Sequence, residues 1–240
     1  MYTPYTFPIK YNRYGKRLQP FADAVPFGSH EDLRLVVKIK GVEHEACIKW
    51  ADELSHEFFM IGDDIWPLEV TLRIQDIPLH SIQEIEDLDT IPRIDYLRIN
   101  NTHLSDLEGM SDMPWARRLK ILDLSNNSID KMTGLSGFKR LHSLYLNTNR
   151  IQHIVGLEDL KYLKLIDLSN NQIESIIGLE RGRRIRKVGL NHNKINTLDH
   201  STLMDLPAHP MTIRCMGNEI SPEQLDRAKE LKTNLTFILK

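Results

Sequence analysis

One repeated phrase constrains this chain more than any other feature. LKILDLSNNSIDKM at 119–132 returns almost unchanged as LKLIDLSNNQIESI at 163–176. Aligned on the asparagine of L-x-L-x-x-N, the series reads Asn127, Asn149, Asn171, Asn193 and Asn218, with spacings of 22, 22, 22 and 25 residues. Steps of 25 upstream put Thr102 (LRINNT) and Ile77 (LRIQDI) in the same slot, so two earlier turns are degenerate. The apolar positions travel with the register: Leu119, Leu122, Leu124, Ile129, Met132, Leu135 and Phe138 in one unit, then Leu141, Leu144, Leu146, Ile151, Ile154, Leu157 and Leu160 in the next.

The spacing dictates a stacked architecture. Leu122 and Leu124 alternate with period two, so both point to one face of a short strand, and the wider spacing after the asparagine suits a tight helical turn that returns the chain. One such coil cannot bury its own apolar side. Stacked coils can, because each leucine row packs on the same row of its neighbours and strands about 4.8 Å apart form a parallel inner sheet. Burial of several side chains per unit, at roughly 1.5–3 kcal/mol each, is of the size needed to offset the ordering of the unit. The asparagine amide both donates and accepts, so a row of asparagines can satisfy turn backbone groups left without partners. The row is structural, and Asn127 and Asn171 are not catalytic candidates.

The pattern L-x-x-L-x-L-x-x-N-x-L resembles the leucine-rich repeat. A period of 22, an isoleucine two residues after the asparagine, and apolar residues five and eight after it resemble the short repeat class typified by a regulatory subunit of protein phosphatase 1. A spliceosomal A-prime protein and an axonemal dynein light chain share that class. The resemblance covers about residues 68–221. It implies an α/β solenoid with a curved, concave parallel sheet and short helices or 3-10 turns on the convex side. It also implies an adaptor or regulatory scaffold, cytoplasmic or nuclear, that holds a protein partner against the concave sheet.

The ends must be closed, because an exposed terminal coil would leave leucines and a strand edge in water. Ser221, Pro222 and Gln224 read as a helix start, Leu225, Ala228 and Leu231 recur at helical spacing, and LTFIL (235–239) reads as a strand, giving a C-terminal helix–strand cap over 222–240. Upstream, DLRLVVKIK and VEHEACIKW flank Gly41 as a hairpin, so 31–67 reads as an N-terminal β-rich cap or small domain, with ADELSHEFFMI open between helix and strand. Residues 1–30 form a tail in which Tyr2, Tyr5, Tyr11 and Tyr14 alternate with Lys10, Arg13, Lys16 and Arg17.

Residues between the leucines face outward on the inner wall and carry no packing duty. Four before each asparagine slot the column reads Arg73, Arg98, Asp123, Tyr145, Asp167, Gly189, Arg214; six before, it reads Thr71, Tyr96, Ile121, Ser143, Leu165, Lys187, Thr212. Tyr96, Ile121, Tyr145 and Leu165 make an apolar and aromatic patch where a solvated strand face would carry Thr, Lys or Glu. Arg73, Arg98, Asp123, Asp167, Lys187 and Arg214 edge it as candidates for orienting a partner. A second candidate is the run ERGRRIRK, in which Arg181, Arg183, Arg184 and Arg186 could hold an anion, with EIEDLD (84–89) opposite in sign some coils away.

Composition bears on what remains. A net charge of -2 and a pI near 6.6 offer no global attraction for nucleic acid or an anionic membrane. Two cysteines far apart, Cys47 and Cys215, form neither a disulfide framework nor a metal set. The N-terminus lacks the apolar core of a signal peptide, and no run of about 18 apolar residues exists, so a cytoplasmic location is expected. HEACI and HEFFM lack the second histidine of a zincin, no glycine-rich phosphate loop occurs, and Asp123 and Asp167 fall about two strands apart, too far for a retaining carboxylate pair. The expectation is a non-enzyme without metal or cofactor whose partner is a protein rather than a small molecule. The alternative is a nucleic-acid or phosphate-ligand binder using 181–187 and the basic tyrosine tail.

Overall fold

A computed structural model describes residues 71–85 and 94–239, together with five strand segments nearer the N-terminus. Those segments are β1 (Tyr5–Thr6), β2 (Leu33–Ile39), β3 (Val42–Lys49), β4 (Phe58–Ile61) and β5 (Asp64–Pro67). The coils then supply β6 (Thr71–Gln75), β7 (Tyr96–Asn100), β8 (Ile121–Asp123), β9 (Ser143–Tyr145), β10 (Leu165–Asp167), β11 (Lys187–Gly189) and β12 (Met211–Arg214). β13 (Leu235–Ile238) follows, and all of these except β4 and β5 join one sheet in the order β1-β2-β3-β6-β7-β8-β9-β10-β11-β12-β13.

From β6 to β13 every neighbouring pair is parallel. Register follows the leucines: Leu72, Leu97, Leu122, Leu144, Ile166, Val188 and Ile213 are mutual partners across adjacent strands. None of them is more than 1% exposed. A slip of one residue would turn this row to water and the polar columns inward, which is why the pairing is unambiguous. Behind the sheet, Leu124, Ile129, Met132, Leu135 and Phe138 repeat coil after coil as one continuous core, in which Trp115 fills a large site before β8.

The asparagine slot works as a ladder between coils. Asn149 donates from Nδ2 to the carbonyls of Leu124, 3.0 Å away in the preceding coil, and Leu146, 3.0 Å away in its own, while its Oδ1 accepts from Ile129 N–H at 3.0 Å. Asn171 and Asn193 repeat the arrangement one and two coils later. Asn127 makes the same bridge, donating to the Ile99 and Leu124 carbonyls and accepting from Leu104 N–H, and its Oδ1 also accepts from the Thr102 hydroxyl at 2.9 Å, so threonine in a degenerate slot is held by the next asparagine. Each amide thus satisfies groups that two stacked turns would leave unpaired in the interior.

The doublet in SNN has a second cause. Asn101, Asn126, Thr148, Asn170 and His192, each just ahead of an asparagine slot or its Thr102 equivalent, adopt a left-handed backbone with φ between 54° and 59°. Asparagine tolerates that conformation because its short polar side chain bonds locally; a β-branched residue such as Thr148 adopts it at greater cost. At the far side of the coil the chain turns tightly: a Cβ on Gly178, at φ 102°, would collide with the Ile154 carbonyl oxygen of the preceding coil.

The return paths vary more than the strands. Short 3-10 turns occupy Ile82–Glu84, Met110–Asp112, Ala116–Arg118 and Leu179–Arg181, whereas 128–142 and 150–164 return through turns with no regular helix. Apolar residues every third position, as at Ile129, Met132, Leu135 and Phe138, need only a tight path and not a full α-helix. The longer last spacing, Asn193 to Asn218, accommodates helix α1 (His200–Asp205), whose start is capped by Asp199 accepting from Thr202 N–H at 3.0 Å.

Both ends are closed. The β2–β3 hairpin is antiparallel, and β3 lies antiparallel on β6 with Ile48 opposite Leu72, so the parallel sheet begins against a reversed strand. ADELSHEFFMI contributes β4, paired antiparallel with β5, while its residues 51–57 lie outside the described residues. At the other end Ser221 caps helix α2 (Pro222–Leu231), accepting from Gln224 N–H at 3.3 Å. Leu225 and Ala228 pack inward and β13 adds a last parallel strand. The tail at 1–30 lies outside the described residues except for β1, which pairs with β2.

Thr148 is the one β-branched residue in the left-handed column, so Thr148→Asn is expected to raise the unfolding free energy by about 1 kcal/mol. Urea denaturation of the two proteins measures it, with an unchanged slope expected.

Candidate functional site

Strand register brings the two outward columns onto one wall. Tyr96, Ile121, Ser143, Leu165, Lys187 and Thr212 are partners in adjacent strands, and Arg98, Asp123, Tyr145, Asp167, Gly189 and Arg214 form the parallel column two residues on. Arg73 is the backbone partner of Arg98 at the upstream end. Each column alternates with the buried leucine row, so its side chains stand on the opposite, outer face of the sheet. Tyr96, Ile121, Tyr145 and Leu165 are all half-buried, Ile121 and Leu165 separated by Ser143, with Tyr145 between Asp123 and Asp167.

At the upstream end the polar groups are engaged with one another. Arg98 Nε donates to Asp123 Oδ2 at 2.7 Å and Nη2 to the Tyr96 hydroxyl at 2.9 Å, and the guanidinium carbon lies 5.7 Å from the Tyr96 ring centre. Burial works against the Arg98 charge, but Asp123 and then Tyr96 more than offset it, so its pKa is raised. The other Asp123 oxygen, Oδ1, accepts from Ser125 N–H at 3.1 Å and from the Ser125 hydroxyl at 2.6 Å. With both oxygens bonded and only 5% of its surface exposed, Asp123 is turned inward, where it fixes Arg98 and Tyr96 in place.

Downstream the wall is more open. Asp167 is half-buried, and its Oδ1 accepts from Ser169 N–H at 3.0 Å. The neighbouring Gly189 leaves room for that carboxylate, since a Cβ there would force the Asp167 side chain to turn aside. Lys187 and Arg214 are exposed on either side of Gly189.

The four arginines of the basic run separate. Arg181 ends a 3-10 turn with Nε 3.7 Å from Glu180, and Arg183, Arg184 and Arg186 are exposed along the segment that leads into β11. That segment is one of four. RRLK (117–120), KRLH (139–142), KYLK (161–164) and RRIR (183–186) occupy the same place in successive coils, and together carry ten lysines and arginines and no carboxylate. Backbone bonds stack them: His142 N–H donates to the Lys120 carbonyl at 2.7 Å, Lys164 N–H to that of His142 at 2.9 Å, and Arg186 N–H to that of Lys164 at 2.8 Å. In the middle Tyr162 is 46% exposed, with the Arg184 guanidinium 5.4 Å from its ring centre and the His142 ring at 6.0 Å. Sequence reasoning singled out only the last of the four segments; reading columns at ten, nine and seven residues before each asparagine would have found the rest. The acidic run it set opposite, EIEDLD, lies outside the described residues beyond Ile85.

Other chemistry is sparse. Burial pushes the Cys215 thiol up to about 11, so it is protonated and inert at neutral pH. Among the described residues no group of three or more His, Cys, Asp or Glu could hold a metal, and no helix is long and apolar enough to cross a membrane. The pairs His44–Glu45 and His56–Glu57 are not among the described side chains.

Comparison with known proteins agrees with the geometry. The family described as leucine-rich repeats, two copies, matches residues 117–162. An internalin, InlF, from Listeria monocytogenes superposes with a TM-score of 0.55 at 21% identity, covering 70% of this chain and 46% of that one. A second Listeria monocytogenes internalin, InlC2, gives 0.51 at 22% identity over 71% of this chain and 80% of that one. A leucine-rich repeat protein of Leptospira interrogans gives 0.50 at 21% identity over 63% and 38%. The chain thus spans less than half the length of InlF and of the Leptospira protein. No curated protein matches the sequence. Repeat and fold together define a leucine-rich repeat solenoid.

Because Asp123 is 7% exposed at its side chain and leans on one cation, Arg98→Ala should cost about 1–3 kcal/mol, far more than Arg140→Ala on the rim. Thermal or chemical denaturation of the two variants checks the ranking.

Proposed function

We propose that this protein is a non-catalytic interaction scaffold that holds a protein partner against the concave face of its sheet. The observation that carries the reading is the half-buried apolar set Tyr96, Ile121, Tyr145 and Leu165, brought onto one rigid wall by strands whose only other duty is to bury the leucine row. Partly covered aromatic and aliphatic groups on a fixed frame lose little entropy when a partner completes their burial, which is what interaction anchors do. Seven parallel strands, β6 to β12, span roughly 30 Å, the width of a standard protein interface.

The finer roles follow from position. Lys187, with Asp167 and Arg214 in the neighbouring column, sets charge preference at the downstream end, while Arg98 presents a hydrogen-bonded cation at the upstream end beside Arg73. Service as an adaptor or regulatory subunit in the cytoplasm or nucleus rests on the 22-residue period and on the short repeat class it resembles.

A double variant, Tyr145→Ala with Leu165→Asp, should keep its melting temperature within a few degrees, since both side chains stand outside the core. It should lose at least about tenfold in recovery of the proteins that copurify with the wild-type chain. Equal recovery from wild type and variant would refute the concave face as the binding surface.

A further inference from the structure

The four basic segments form a band that the concave reading leaves without a role. Lys120, His142, Lys164 and Arg186 each immediately precede a concave-column residue, Ile121, Ser143, Leu165 and Lys187. The band therefore runs beside the apolar column, rung for rung. Outside it lie Arg118, Arg140 and Arg184, all exposed, and beyond them Arg117, Lys139, Lys161 and Arg183. Among the described residues neutralisation is partial: Lys120 Nζ lies 3.7 Å from Asp95, and Lys139 Nζ 3.4 Å from Asp159. The chain as a whole carries a net charge of -2, so the band is a local concentration of cations rather than a general bias.

The outermost row, Arg117, Lys139, Lys161 and Arg183, sets like charges on successive rungs about 4.8 Å apart, which repel one another and are relieved by an anionic partner with a matching repeat. Carboxylates on adjacent turns of an α-helix recur every 5.4 Å, close to the rung spacing, and a helix laid across the strands turns an apolar stripe toward Ile121 and Leu165 at the same time. Nucleic acid fits less well. The concave wall beside the band carries Asp167, which no cation pairs among the described residues, and it would face phosphates with its own negative charge.

We propose that this basic rim binds the carboxylates of an acidic, amphipathic helix of a partner protein, with the partner's apolar stripe on the neighbouring concave column. The proposal names the partner class for the surface described above, and it rests on that reading only for the apolar half of the contact. Arg140, Lys164, Arg184 and Arg186 carry the carboxylate contacts, and Tyr162, braced by Arg184, supplies an exposed aromatic step in the middle of the row.

The test uses the full chain and three fluorescent probes: a synthetic helix with a leucine stripe flanked by glutamates at i, i+4, i+7 and i+11, its glutamine counterpart, and a dT12 oligonucleotide. Anisotropy titrations compare wild type with a rim variant, Arg140→Glu/Lys164→Glu/Arg184→Glu/Arg186→Glu, and with the concave variant Tyr145→Ala/Leu165→Asp. All four rim residues are exposed, so an unaltered melting curve is expected and confirms folding. The glutamate helix should bind wild type, and affinity should drop at least about tenfold in the rim variant, for the glutamine helix, and between roughly 50 and 200 mM salt. Failure of the glutamate helix to bind at about 1 mM, equal affinity for wild type and rim variant, or tighter binding of dT12 than of the glutamate helix would each overturn the proposal. Loss in the concave variant alone overturns the rim and leaves the concave reading standing; loss in the rim variant alone supports the rim and refutes the concave reading.

Discussion

Everything in this structure depends on one coil leaning on the next. No coil closes around its own core: the leucine of each strand packs between its equivalents in the strands before and after, and each asparagine amide bonds the turn behind it. Asn149 links the Leu124 carbonyl and the Ile129 amide of one coil to the Leu146 carbonyl of its own, so removing it breaks contacts in two coils at once. The caps follow from the same constraint. A stack has two ends, and here β3 lies reversed on the first coil while α2 and β13 lie on the last.

That division of labour frees the wall. Because the leucine row and the asparagine ladder carry stability, the residues between them can differ from coil to coil without affecting the fold. They do differ: one column reads Tyr96, Ile121, Ser143, Leu165, Lys187, the next Arg98, Asp123, Tyr145, Asp167, Gly189. The rim does the opposite and keeps cations in place for four coils. A variable wall beside a uniform charged edge separates two aspects of recognition, with shape and apolar contact written in the wall and long-range attraction in the edge.

The fold was legible in the sequence because its two determinants, period and polarity, are both sequence properties. The leucine columns predicted which residues would be strand partners, whereas the spacing of 25 after Asn193, shared with the coils upstream, did not single out the coil that holds α1. Less legible were features set by contacts between coils. Asp123 reads as a surface charge in its own strand and becomes buried only because Arg98 and Ser125 close over it. The doublet of asparagines looked like one signal but serves two needs, a left-handed turn at Asn126 or Asn170 and a bridging amide at the next residue. The rim escaped notice because its cations are spread over four segments, each ordinary by itself. The hairpin around Gly41 could be read from its alternation, but its antiparallel docking on β6 could not, since no local pattern encodes which edge a hairpin seeks.

Native-state hydrogen exchange of Asn149→Ala against wild type tests the dependence between coils most directly. The Ile129, Ile151 and Ile173 amides each donate to the asparagine of the following coil. If coils share stability, protection should fall at all three, by a comparable free energy, although Ile151 and Ile173 keep their own asparagine partners. Loss confined to the Ile129 amide and its own turn, with Ile151 and Ile173 as protected as before, would show coils that stand independently and would contradict the account.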